Sequence, residues 1–149
     1  MAALGGLLQS WEPRILSILR IVVGLLYLEH GTQKIFNFPP RPNARPYELL
    51  TLVPGLAGIL ELGGGILIVL GLFTRPVAFL LSGEMAFAYF MSHAPRGFFP
   101  ISTGGNGGET AILYCFIFLY FCFVGAGVWS LDAMRSPARG AAAGPGSRR

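Results

Sequence analysis

Four glutamates, Glu29, Glu61, Glu84 and Glu109, fall one to each of four hydrophobic stretches, in a chain that has only seven acidic residues. An ionised carboxylate in the middle of a bilayer costs roughly 3 kcal/mol or more unless it is paired, protonated or wetted. Acidic groups kept in such places can exchange protons, because burial tunes their proton affinity. With His30 and His93 they can also bind a cation or pass protons along a relay. The plainer alternative is structural: each carboxylate accepts a hydrogen bond from a serine, a tyrosine or the backbone and fixes the register of packed helices.

Other residues that could do chemistry give weaker signals. His30 and Lys34 are four apart and neighbours on a helix. Both suit an interfacial position, where a lysine snorkels. Glu109 follows Asn106-Gly-Gly and suits the first turn of a helix, where the dipole favours a carboxylate. His, Glu and Met together tolerate several transition metals, but no HExxH spacing occurs and no metal site is assigned. Haem-binding CxxCH, dinucleotide and iron–sulfur spacings are absent too. Cys115 and Cys122 are seven apart. On a helix they are separated by about 10 Å of rise, too far to pair with each other, and they read as small packing residues.

The elements that must position these groups are membrane helices. The chain has 149 residues, 53% hydrophobic and 12% charged, about half the charge of an ordinary soluble domain. Its net charge of +4 does not point to nucleic acid, because the basic residues gather at the ends of the hydrophobic stretches. Four spans are expected, at about 14–36, 54–73, 76–92 and 109–131, each near the length a bilayer core requires. Residues 1–13 form an N-terminal segment without a basic leader or cleavage site, so the first stretch is expected to insert and stay. Residues 133–149 read as a disordered basic tail. Pro13, Pro54 and Pro76 sit at span starts, where a missing N–H is harmless. The expected fold is therefore all-α, an integral membrane four-helix bundle.

Arg14, Arg20, Arg75, Arg135, Arg139, Arg148 and Arg149 fall on one side of such a bundle, and Lys34, Arg41, Arg45 and Arg96 on the other. The excess of basic residues puts both termini in the cytoplasm. Glu29, Glu61 and Glu84 then lie about 10–12 Å below the outer surface, and Glu109 at it. Around Glu61, Ala57, Gly58, Gly64 and Gly65 make a small-residue face that lets another helix approach closely. Glu61 is thus expected to point into the bundle.

The segments HGTQK after Glu29, ELGGGILIVLGLFTRP from Glu61, NGGE before the fourth span and GAGVWSLD after it resemble the DoxX family of small four-span membrane proteins. The similarity runs from about Arg20 to Asp132, with GAG where GPG is expected. It marks Glu29, His30, Gly31, Lys34, Glu61, Gly64, Thr74, Arg75, Asn106, Glu109, Ser130 and Asp132. The candidate polar site is Glu29, His30, Lys34, Glu61, Glu84, His93, Asn106 and Glu109, with Gly31, Gly64, Thr74, Arg75, Ser130 and Asp132 as structural motif residues.

The resemblance implies a bacterial inner-membrane protein that serves as a subunit of a quinone-linked oxidoreductase or redox complex. Quinone is the implied cofactor, held by His30, Lys34 and the glutamates. Lipid, a redox partner subunit and a second copy of the chain are the implied partners. Two readings stand beside it: a binding or transport protein for a small molecule, proton or cation, and a structural or assembly protein without catalysis.

Overall fold

The computed structural model describes residues 2–42 and 46–135 and is all-helical, with no strand among the described residues. Four long helices, α1 (Ala2–Phe36), α2 (Ala57–Leu70), α3 (Thr74–Ala88) and α4 (Glu109–Val124), are followed by a short α5 (Leu131–Arg135). Gly5–Phe36 and Leu52–Leu70 are long and apolar enough to cross a membrane, and α4 is a shorter apolar helix. Large apolar side chains such as Leu26, Phe79, Phe87, Phe116 and Phe123 stand exposed on the outside, as they do on a protein whose solvent is lipid.

Element limits depart from the hydropathy reading in three places. Helix α1 begins at Ala2 and runs through Pro13, so the segment expected before residue 14 is helical from Ala2. A π-helical turn, Leu52–Leu56, leads into α2, and a second, Tyr89–His93, extends α3 into a 3-10 turn at Ala94–Arg96. The fourth span was expected to reach Leu131, but α4 ends at Val124. Gly125 and Gly127 take φ of 90° and 77°, a left-handed backbone that ends a helix whatever the hydropathy of the residues around it. The basic tail from residue 136 onward lies outside the described residues.

Helices α1 and α2 meet through glycines. A Cβ on Gly31 would lie 2.4 Å from the Leu62 amide nitrogen, and one on Gly65 would lie 3.0 Å from Leu28 Cα. Such contacts bring two backbones together, which is how membrane helices gain packing energy. Gly64 faces α3, where a Cβ would meet the Leu81 side chain. The core between the four helices is Val23, Tyr27, Ile68, Ala78, Leu81, Met85, Tyr114, Phe118 and Phe121, with Tyr27 edge-on to Phe118 at 4.7 Å between centroids.

One end of the bundle is closed by two arginines and an aspartate. Arg20, which the charge count placed among the cytoplasmic charges, is fully buried. Its guanidinium donates to the carbonyls of Ala126 (3.1 Å) and Ile68 (2.9 Å), and to those of Val69 and Trp129. It thereby satisfies the open C-terminal end of α2 and ties it to the segment after α4. Arg75 does the same for α4, donating to the Cys122 (2.9 Å) and Phe123 carbonyls. Asp132 accepts the amides of Phe73 and Thr74, both at 2.8 Å, and so caps the start of α3. Gly71 lies beneath, where a Cβ would meet Ser130 Cβ at 2.4 Å and Arg20 Cζ at 3.1 Å.

Two outcomes follow for this end. Arg20→Met keeps the bulk but leaves four carbonyls without their donor, and thermal melts in detergent should show a loss of about 3 kcal/mol or more. Burial by itself would raise the Asp132 carboxyl. The Thr74 and Phe73 amides and the Arg135 charge outweigh it and hold the carboxyl below the usual range. A depressed carboxylate contributes stability above its unfolded value of about 3.9, and that stability is lost as pH falls through the lower folded value. The melting-temperature gap between wild type and Asp132→Asn should therefore be full at neutral pH and close on acidification below about pH 4.

Candidate functional site

Lys34, on the last turn of α1, makes an ion pair with Glu61 of α2. The Glu61 carboxylate is 4% exposed, so the close approach of α1 to α2 at Gly31 and Gly58 is what brings the two charges together. A Cβ on Gly58 would lie 3.3 Å from Lys34 Cβ. Among the described residues only Oε1 of Glu61 is engaged, and Oε2 is buried without a partner. From α3, Glu84 accepts the Tyr27 hydroxyl on Oε2 at 2.8 Å. Its Oε1 is likewise buried and unpartnered.

Both carboxylates line a cavity of about 700 Å³ between α2 and α3. Its walls are apolar, including Leu56, Leu60, Phe79 and Phe87, and its polar residues are Lys34, Glu61, Ser82, Glu84, Ser92 and His93. Leu56, Phe79 and Phe87 are also among the exposed side chains of the outer surface, so the cavity opens onto the apolar outer face of the helices. Two carboxylates against one ammonium leave the pocket with an excess of acceptor oxygens. An ionised carboxylate accepts only, and a protonated one carries a single donor. The arrangement suits a molecule with an apolar body and a polar head that can donate hydrogen bonds.

The other candidate residues separate into distinct places. His93 borders the cavity, and its Nδ1 lies 3.1 Å from the Asn106 carbonyl oxygen. Asn106 is buried and clamps the loop before α4, donating to the Gly97 carbonyl and accepting the Gly108 amide, both at 2.8 Å. Glu29 and His30 are exposed and apart from the cavity. The His30 ring stands edge-on to Tyr114, 5.9 Å between centroids. Glu109 is exposed at the start of α4. Thr74, Arg75, Ser130 and Asp132 all stand at the far closed end, where the Ser130 hydroxyl accepts the Ala133 amide at 3.1 Å. The expected set of eight thus reduces at the cavity to Lys34, Glu61, Glu84 and His93.

Tyr27 and Ser82 join the site without having been singled out. Tyr27 is fully buried and is the partner of Glu84. Ser82, which lines the cavity two residues before Glu84, donates to the Cys115 carbonyl at 2.8 Å. Tyr27 occupies the position one helical turn before His30 and two before Lys34, a spacing that puts it on the same side of α1. Among the described residues no group of three or more His, Cys, Asp or Glu is placed to hold a metal ion.

Removing one half of the ion pair should be worse than removing both. Lys34→Met leaves a buried charge uncompensated and should lower stability by about 3–5 kcal/mol, whereas the double change Lys34→Met with Glu61→Leu should lose less. Thermal melts of the two variants in the same detergent check the order.

The sequence has relatives over most of its length. A protein of Haemophilus influenzae described as uncharacterized is 48% identical over 131 residues, covering 84% of this chain and 93% of that one. A protein of Mycobacterium tuberculosis described as an uncharacterized membrane protein is 29% identical over 152 residues, covering 89% of this chain and 92% of that one. No solved structure matches the chain. The DoxX family profile matches residues 15–94, from the middle of α1 past both cavity carboxylates, and the chain belongs to the DoxX family of small membrane proteins.

Proposed function

We propose that the chain is the membrane subunit of a quinone-linked redox complex and that its α2–α3 cavity holds the reduced, dihydroxy form of the quinone. The single observation that carries this reading is the pair of unpartnered carboxylate oxygens, Glu61 Oε2 and Glu84 Oε1, at a cavity that opens onto the apolar outer face of the helices. Each buried acceptor left without a donor costs about 1–3 kcal/mol. Ring hydroxyls supply the missing donors, and an isoprenoid tail fits the apolar mouth. A quinol bound there supplies protons and electrons.

The residues of the chain do the rest. Glu84 receives a proton from the ring side while Tyr27 holds its other oxygen. Lys34 pairs with Glu61 and orients it. Phe79, Leu56 and their neighbours exclude water. Since the sequence contains no CxxCH or dinucleotide motif, we assign electron acceptance to a partner subunit. The bundle is read as four-spanning in the bacterial inner membrane, with both termini cytoplasmic and the cavity in the outer half.

A second reading, proton or cation binding at the same pair, draws on the two carboxylates that one lysine does not balance. Elemental analysis of purified protein separates it, since stoichiometric metal at the pair favours that reading.

The test is equilibrium binding of a short-chain quinol and its di-O-methyl ether to protein in nanodiscs. The quinol should bind about ten-fold more tightly or better, because charged hydrogen bonds contribute about 1.5–3 kcal/mol each. Glu84→Gln should remove most of that preference while the protein still melts cooperatively. Equal binding of quinol and ether would count against the reading.

A further inference from the structure

A second cleft, of about 600 Å³, lies at the closed end of the bundle, between the α2–α3 turn, the end of α4 and the segment leading to α5. Its polar wall is Thr74, Arg75, Ser130, Asp132 and Arg135. Three observations make it a site for an anion.

Arg75 is only half used. Its Nη1 donates to the α4 carbonyls, while the edge formed by Nε and Nη2 makes no hydrogen bond to the described residues. That edge faces Gly125, where a Cβ would sit 3.4 Å from Nη2 and 3.6 Å from Nε. Gly125 therefore leaves the edge uncovered, and its φ of 90° keeps a side chain from that position. An Nε/Nη2 edge is the arginine face that matches two phosphate oxygens.

Thr74 is the second observation. It is 1% exposed, and its Oγ1 makes no hydrogen bond among the described residues. A hydroxyl at the cleft wall can donate to a phosphate oxygen.

The third is charge. Arg75 and Arg135 flank the cleft, and Arg20 lies behind Gly71, against the single Asp132. Both Asp132 oxygens already accept an amide, so the carboxylate is turned into the protein's own backbone. The Arg135 guanidinium lies 5.2 Å over the Phe73 ring and can turn to the cleft without breaking a hydrogen bond. Trp129, Val128 and Phe73 are exposed around it, the composition of a head-group layer.

We infer that this cleft binds the phosphodiester of an anionic phospholipid head group, held by Arg75 Nε and Nη2, Thr74 Oγ1 and Arg135. The same oxygen chemistry is offered by free phosphate, but the apolar rim and the position at the end of the helices favour a lipid. The inference stands on its own geometry and does not depend on what the α2–α3 cavity holds.

Native mass spectrometry and thermal melts of the full chain in neutral detergent test it, with phosphatidylglycerol, phosphatidylcholine and inorganic phosphate as separate probes. Phosphatidylglycerol should bind about five-fold or more tightly than phosphatidylcholine, on the basis of about 1 kcal/mol per arginine near a lipid phosphate. It should also raise the melting temperature, and inorganic phosphate at the same concentration should not. Arg75→Lys should lose the preference, because an ammonium cannot present two parallel donors. Arg135→Gln, which removes no backbone cap, should lower it by about half or more, and keeps the test open if the Arg75 variant fails to fold. Equal binding of the two lipids, a preference unchanged in Arg135→Gln, or a full effect from inorganic phosphate alone would overturn the assignment.

Discussion

Arg20 is the residue on which the arrangement of the helices depends. A guanidinium has five donors and no way to lose its charge, so in an apolar bundle it must be surrounded by acceptors. Here the acceptors are four main-chain carbonyls. They belong to the end of α2 and to the turn after α4, which are far apart in sequence and are joined besides by the Asp132 amide, which donates to the Gly71 carbonyl at 2.9 Å. Carbonyls at helix ends are the groups a membrane leaves most exposed to penalty. One side chain resolves that penalty for α2, and Arg75 resolves it for α4. With Asp132 capping α3, the closed end of the bundle is almost fully satisfied, and α2 and α3 are held in fixed relation to α1.

That fixed relation gives the opposite half of α2 and α3 its meaning. Glu61 and Glu84 could each have been closed off by a serine or a backbone amide, as Asp132 is. Instead each carboxylate has one oxygen bound and one oxygen free. The contrast lies within one molecule and one environment. Arg20 and Asp132 at the closed end have their acceptors and donors, and the two carboxylates at the α2–α3 cavity keep acceptor capacity in reserve. Packing alone gives no reason to leave two buried carboxylate oxygens unmatched. A ligand with donors does.

How much of this is legible in the sequence differs residue by residue. The small-residue face around Glu61 is legible, because Gly58 and Gly65 repeat at the helical period and do face α1. The shortness of the connection between α2 and α3 is legible from the span limits, although it falls at Gly71, Leu72 and Phe73, and Thr74 and Arg75 already belong to α3. The burial of Arg20 is not, since its acceptors are carbonyls 48 to 109 positions away that any residue type could supply. The pairing of Tyr27 with Glu84 spans 57 positions and is invisible for the same reason. Hydropathy also carried the fourth span past Gly125, because it counts apolar side chains and not the backbone angles that stop a helix. Glu29 and Glu109 do not share the cavity of the other two glutamates. Depth along the membrane says nothing about which face of a helix a side chain occupies, and these two are exposed.

On the reading proposed above, the free oxygens of Glu61 and Glu84 mark a ligand site reached from the bilayer. Photoaffinity labelling in native membranes tests it most directly, using a quinol with a diazirine on its tail and peptide mapping of the adducts. The account predicts adducts on the cavity-lining stretches of α2 and α3, around Leu56, Leu60, Phe79 and Phe87, and predicts that excess unlabelled quinol removes them. Adducts spread over the outward faces of α1 and α4, with no competition by quinol, would contradict it.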